Sequence, residues 1–181
     1  MKKTFLAALA AALFFAPTLH AQHQPYSGLQ QRAIKALSEQ QIEDLRAGRG
    51  MGLALAAELN GYPGPLHVIE FSDALALDGA QRAKMQTLFE AMKRETIAIG
   101  ERLIEQEREL DRAFASKSVT QESLDAVTLR IGATQAALRA AHLKYHLTTV
   151  ETLTPHQIKR YAELRGYAGD RPAPHQHMRK H

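Results

Sequence analysis

From position 89 onward, Phe89, Met92, Thr96, Ile99, Leu103, Gln106, Leu110 and Ala113 recur at alternating steps of three and four. That spacing keeps one stripe on one side of an α-helix. No proline interrupts positions 78–115, so the stretch predicts a single helix about 55 Å long, from roughly 37 residues at 1.5 Å each. The polar run "SKSVT" breaks it. Leu124, Val127, Ile131, Thr134, Leu138, Ala141 and Tyr145 then repeat the spacing to the neighbourhood of Glu151. Two long helices with matching stripes and a short connector predict an antiparallel hairpin.

Shorter elements flank it. "LSEQQIEDLRAGRG" starts at Ser38 and stops at Gly48 and Gly50, the signature of a short helix. "MGLALAAELNGYPGPLH" predicts a second one, closed by Asn60-Gly61 and the Pro63-Gly64-Pro65 turn. A third is expected over 66–75 and a last over 155–165, ending at Gly166. Residues 22–36 show no period and are expected to be flexible, and 168–181 to be a disordered tail. The fold class is therefore all-α, a long helical hairpin with short flanking helices over residues 37–167. Each long helix buries only one stripe, leaving Ile97, Ile104, Leu129 and Leu143 off the seam. The short helices or a second subunit must cover them, so a homodimer is expected.

Composition agrees with this picture. Hydrophobic residues make up 45% of the chain but aromatic ones only 6%, and there is no Trp, so packing falls to Ala and Leu. Lys2 and Lys3, the apolar run from Phe5 to Ala16 and the small residue Ala21 read as a signal peptide over 1–21. The run is too short for a stop-transfer helix, so no transmembrane span is expected in the mature chain. Removing the two lysines takes 23 basic residues to 21, against 19 acidic, a net of +2. So balanced a charge leaves no electrostatic footprint for nucleic acid. The chain has no cysteine, which excludes disulfides, thiolate metal sites and a nucleophilic thiol.

One helix start is written three times. In "LTPHQ", Thr154 can accept a bond from an unpartnered first-turn amide. Pro155 follows where no amide proton is needed, Gln157 completes a capping box, and Leu153 staples onto the first turn. Leu37, Ser38 and Gln41 repeat the arrangement, as do Leu77, Asp78 and Gln81 with Gly79 in place of proline. Each box stabilises its helix by about 1 kcal/mol. With the hairpin, "LDGAQRAKMQTLFEAM" and "LTPHQIKRYAELRGY" resemble the LTxxQ-motif family, the Spy/CpxP-like periplasmic proteins with their zinc-resistance-associated and heavy-metal-sensor relatives. The resemblance covers residues 37–167, and departs from the strict motif at Ser38 and at Asp78-Gly79. It implies a periplasmic dimeric curved cradle that holds unfolded or misfolded envelope proteins without ATP in a stress response. Its alternative is a related protein that binds or senses a heavy metal in a resistance system.

A holding surface needs exposed apolar groups ringed by charge. Met51, Leu53, Leu55, Leu59, Val68, Ile69 and Phe71 are candidates for the apolar part, with Met85 and Met92 as adaptable contacts. Lys84, Lys93, Arg94, Arg102, Arg108 and Arg112 are candidates for the rim. Such a protein requires no cofactor; its partners are unfolded clients or the periplasmic domain of a sensor kinase. For metal, His142 and His146 stand four apart on one helix and share a face. They can chelate a Zn²⁺, Cu²⁺ or Ni²⁺ ion. Glu101, Glu105 and Glu109 offer carboxylates on the opposing helix, although neighbouring arginines favour ion pairing there. His175, His177 and His181 add a histidine-rich tail. No nucleophile elbow, zinc-protease motif or phosphate loop occurs, so no enzymatic activity is expected.

Overall fold

The computed structural model describes residues 26–167. After a short 3₁₀ turn, Leu29–Gln31, come six helices: α1 Glu39–Ala47, α2 Leu55–Glu58, α3 Pro65–Glu70, α4 Gly79–Ala115, α5 Gln121–Thr152 and α6 Pro155–Leu164. The long pair α4 and α5 forms the antiparallel hairpin that the repeating stripes predict, and the described residues contain no strand. No helix among them is long and apolar enough to cross a membrane. The expected leader over 1–21 and tail over 168–181 lie outside the described residues.

All three expected capping boxes form. Ser38, Asp78 and Thr154 accept the amide N–H groups of Gln41, Gln81 and Gln157 at 3.1, 2.7 and 3.2 Å, and each glutamine accepts the cap amide in return. A fourth box, Thr120 with Ser123, starts α5 inside the run read only as a break. Its closing residue is Ser, so a search for Gln passes over it. Two of the boxes also lock together. The side-chain amides of Gln81 and Gln157 pair reciprocally, each Nε2 lying 2.9 Å from the other's Oε1. Gln81 Nε2 also donates to the Thr152 carbonyl at 3.0 Å, and the buried Gln157 donates to that of Leu75 at 3.3 Å. The repeated motif thus joins the starts of α4 and α6 at the open end of the hairpin.

The core lies in two parts along the hairpin. Towards the connector, Leu45 of α1 packs with Ile99, Leu103, Ile104, Val127, Ile131 and Leu138. A Cβ added at Gly100 would meet the Leu45 carbonyl oxygen at 2.7 Å, so α1 seats directly on the α4 backbone there. At the open end, Val68, Leu75, Met85 and Tyr161 pack with the staple residues Leu77 and Leu153, and Phe71 meets Tyr161 edge-on.

Several expectations change. The helix expected from residue 51 shrinks to the single turn of α2, because Met51 and Gly52 adopt left-handed backbone with φ of 44° and 77°. The third is helical only over Pro65–Glu70 and continues as turns. The leading segment, expected to be flexible, ends packed: Ile34 is buried in the connector-side core, and the Lys35 backbone N–H and ammonium both donate to Asp111. Without a helix there is no period, so a pattern reading has no handle on Ile34. Of the off-seam residues, Ile104 is buried while Leu129 remains 76% exposed.

Candidate functional site

Between the two apolar clusters the hairpin interior becomes polar. Thr96 on α4 and His142, His146 and Thr149 on α5 are all buried. Successive turns of α5 bring the two histidines to one face, as their spacing requires. That face borders a cleft of about 390 Å³ walled by Met51, Leu55, Glu58 and His67 on one side and by Met92, His142 and His146 on the other, with Arg165 also lining it.

The tight turn after α2 positions His146. Its Nδ1–H donates to the Tyr62 carbonyl at 2.6 Å, a tautomer that leaves Nε2 with a lone pair. Gly64 makes room for the ring: a Cβ there would lie 2.9 Å from Cε1 and 3.0 Å from Nε2. His142 is buried, and its Nε2 has no hydrogen-bond partner. Burial, and then the neighbouring His146, lowers its pKa below the ordinary imidazole value. It is therefore neutral at pH 7, the form that ligates metals.

Glu58 is equally unusual. It is a buried carboxylate whose Oε1 accepts the Tyr161 hydroxyl and, at 3.2 Å, the Tyr167 hydroxyl, with Arg165 Nε 3.4 Å away. Burial and then the bond to Glu58 push the Tyr161 phenol well above its usual range, so it remains a donor. Glu58 Oε2 has no hydrogen-bond partner and stands 3.8 Å from His146 Nδ1. Three buried side-chain polar atoms lack partners among the described residues, and two of them, His142 Nε2 and Glu58 Oε2, belong to residues lining this cleft. An unpaired buried polar atom is costly, so this concentration makes the cleft the candidate site.

Two imidazoles at one-turn spacing suit Zn²⁺, Cu²⁺ or Ni²⁺. They do not complete a coordination sphere, because no three His, Cys, Asp or Glu side chains among the described residues are grouped to hold a metal ion. Glu101, Glu105 and Glu109 do not help. Glu101 pairs with Arg46 at 3.3 Å, Glu105 with Arg108 and Arg112, and Glu109 with Arg130 at 2.6 Å. His175, His177 and His181 lie outside the described residues.

The apolar candidates divide. Met51, Leu55 and Leu59 are exposed, joined by Tyr62 and Leu66, which the sequence reading left out. Ile69 and Phe71 are half-buried against the open-end core. Met85 is fully buried in that core and Met92 is 8% exposed, so neither offers the adaptable surface expected of it; regular spacing on α4 turns both inward. Glu58, Tyr161, Arg165 and Tyr167 were not singled out as a site. They converge only through tertiary contact between the α2 turn and α6, and no spacing announces them.

A family model described as heavy-metal resistance matches residues 51–160. The match spans Met51, Glu58, Met92, His142 and His146. No curated protein and no solved structure matches the chain significantly.

Proposed function

The chain belongs to the heavy-metal resistance family, and on that premise we propose that it binds a Zn²⁺, Cu²⁺ or Ni²⁺ ion with His142 and His146. The observation that carries this reading is the buried, unpartnered Nε2 of His142 beside a second imidazole whose tautomer frees its own Nε2. Both rings are held by the fold before any ion arrives, which reduces the ordering cost of binding. The unpaired Glu58 oxygen supplies negative charge on the same cleft. The protein works by binding rather than by turnover, in the periplasm to which the 1–21 leader directs it, and as a homodimer. Calorimetric titration with the three ions tests the assignment. Binding in the micromolar range or tighter, weakened by His142→Ala and by His146→Ala, is the expected result; binding weaker than about millimolar, or indifferent to both substitutions, refutes it.

A second reading is favoured by one specific observation. Met51, Leu55, Leu59, Tyr62 and Leu66 are all exposed within one short stretch, a greasy surface suited to collapsed chains. On this reading the protein also holds unfolded envelope proteins without ATP. Suppression of client aggregation at near-equal molar ratio, reduced by Leu55→Asp with Leu59→Asp, is expected. No protection at a large excess of the protein removes it.

A further inference from the structure

A bound ion needs more donors than two imidazoles, and the walls of the cleft narrow what can supply them. Glu58 Oε2 faces the Nδ1 side of His146 at 3.8 Å, and that nitrogen is already committed to the Tyr62 carbonyl. A carboxylate on that edge of the ring is badly placed to share an ion with Nε2. His67 also lines the cleft, but its Nδ1 is bonded to Glu70 at 2.8 Å and it does not group with the other two histidines to hold a metal ion. The chain has no cysteine.

Thioether sulfur remains. Met51 and Met92 line the same cleft as His142 and His146. Met92 is buried one turn before the buried Thr96, whose hydroxyl donates to the Met92 carbonyl at 2.9 Å. Glu95 pairs across the hairpin with Lys144 and Tyr145, and in that antiparallel register Met92 stands level with Leu147 and Thr148, beside His146. Met51 lies on the other wall, 41% exposed and in left-handed backbone with φ of 44°, a conformation uncommon outside glycine.

Sulfur of this kind discriminates among metals. A thioether is soft and uncharged, a good donor to Cu⁺ and a poor one to harder divalent ions. Charge points the same way. Imidazole and thioether are both neutral when they ligate, so the ion's whole charge is buried in the cleft, and the cost of burying an ion rises with the square of its charge. A monovalent ion carries the smallest such cost.

Resting on the metal reading above, we propose that the cleft is a Cu⁺ site in which the sulfurs of Met51 and Met92 complete the donor set begun by His142 and His146. Met92 contributes from the buried side and Met51 from the exposed rim. The thioethers set the choice of metal, and the imidazole pair alone takes Zn²⁺ more weakly.

The test measures Cu⁺ affinity without oxygen, by competition with a chromophoric Cu⁺ chelator, and Zn²⁺ affinity by calorimetry. The variants are Met51→Leu, Met92→Leu, the two together, and His142→Gln with His146→Gln, each checked for folding by thermal melting. Exchange of Met for Leu keeps the volume and is among the changes that cores tolerate best. The expected result is Cu⁺ bound more tightly than Zn²⁺, Cu⁺ affinity lowered at least about 10-fold by either methionine change, and Zn²⁺ affinity unaltered by both. The X-ray absorption spectrum of the Cu⁺ protein should show sulfur neighbours that disappear in Met51→Leu/Met92→Leu. Cu⁺ affinity untouched by the methionine changes, equal losses for the two metals, or a wild-type spectrum with nitrogen neighbours alone overturns the thioether site. If the histidine changes still weaken Zn²⁺ binding, the two-histidine reading stands in each of those cases. Affinity for both metals indifferent to the histidine changes sinks that reading itself. If Met92→Leu does not fold, Met51→Leu at its exposed position and the wild-type spectrum decide.

Discussion

Replacing Gln157 with Ala removes three kinds of hydrogen bond at once. The cap of α6 loses its return bond to the Thr154 amide, the Leu75 carbonyl loses a donor, and the Gln81 amide loses its partner. The first is worth about 1 kcal/mol. The other two involve part-buried or buried groups, each about 1 kcal/mol or more when left unpaired. Gln157→Ala should therefore destabilise by about 3 kcal/mol. Gln41→Ala, in the exposed Ser38 box with no second role, should cost about 1 kcal/mol. Gln157→Glu keeps the acceptor and loses the donors, so it should fall between them. Urea unfolding followed by far-ultraviolet circular dichroism measures all three, and a Gln81→Ala/Gln157→Ala cycle should lose less than the sum of its singles. Equal losses for Gln41→Ala and Gln157→Ala would show that the amide pair contributes nothing beyond ordinary capping.

Three further outcomes follow from named contacts. Gly64→Ala places a Cβ 2.9 Å from the His146 ring; it should cost about 1–3 kcal/mol and weaken Zn²⁺ binding in the same titration, and unchanged affinity would show that ring placement does not matter. His142 has a lowered folded pKa through burial and then His146, so the unfolded chain takes up its proton first. Its stability contribution is complete above about pH 6.5 and is lost as pH falls towards the lowered value, by at most about 1.4 kcal/mol per pH unit. His142→Gln should flatten the melting temperature between about pH 7 and 5, and an unaltered profile counts against a buried neutral ring. Glu107 has its pKa raised by burial, so the stability of its neutral form is present below the ordinary glutamate value and lost as pH rises through the raised one. Glu107→Gln should raise the melting temperature at neutral pH and give no gain near pH 4; equal gains at both would refute the burial cost.

The hairpin was legible because α4 and α5 are long enough for a stripe to repeat many times, and the caps because Ser38, Asp78 and Thr154 act on amides three residues away. What escaped depends on contacts distant in sequence. Spacing shows that Gln81 and Gln157 each close a box, yet not that their amides meet. It puts His142 and His146 on one face, yet not that the face is buried or that Gly64 shapes it. Ile34 and Glu58 sit in or beside short irregular segments where no period exists, and their burial is decided by what α1 and α6 bring over them.

The central claim is that a metal ion binds at His142 and His146. Following the side-chain nitrogen resonances of every histidine by NMR as Zn²⁺ is added to the protein tests it most directly. The account predicts that the His142 and His146 signals shift together and saturate in step, while those of His67 and His156 stay in place. Shifts confined to His67, His156 or the tail histidines, with His142 and His146 unmoved, would contradict it.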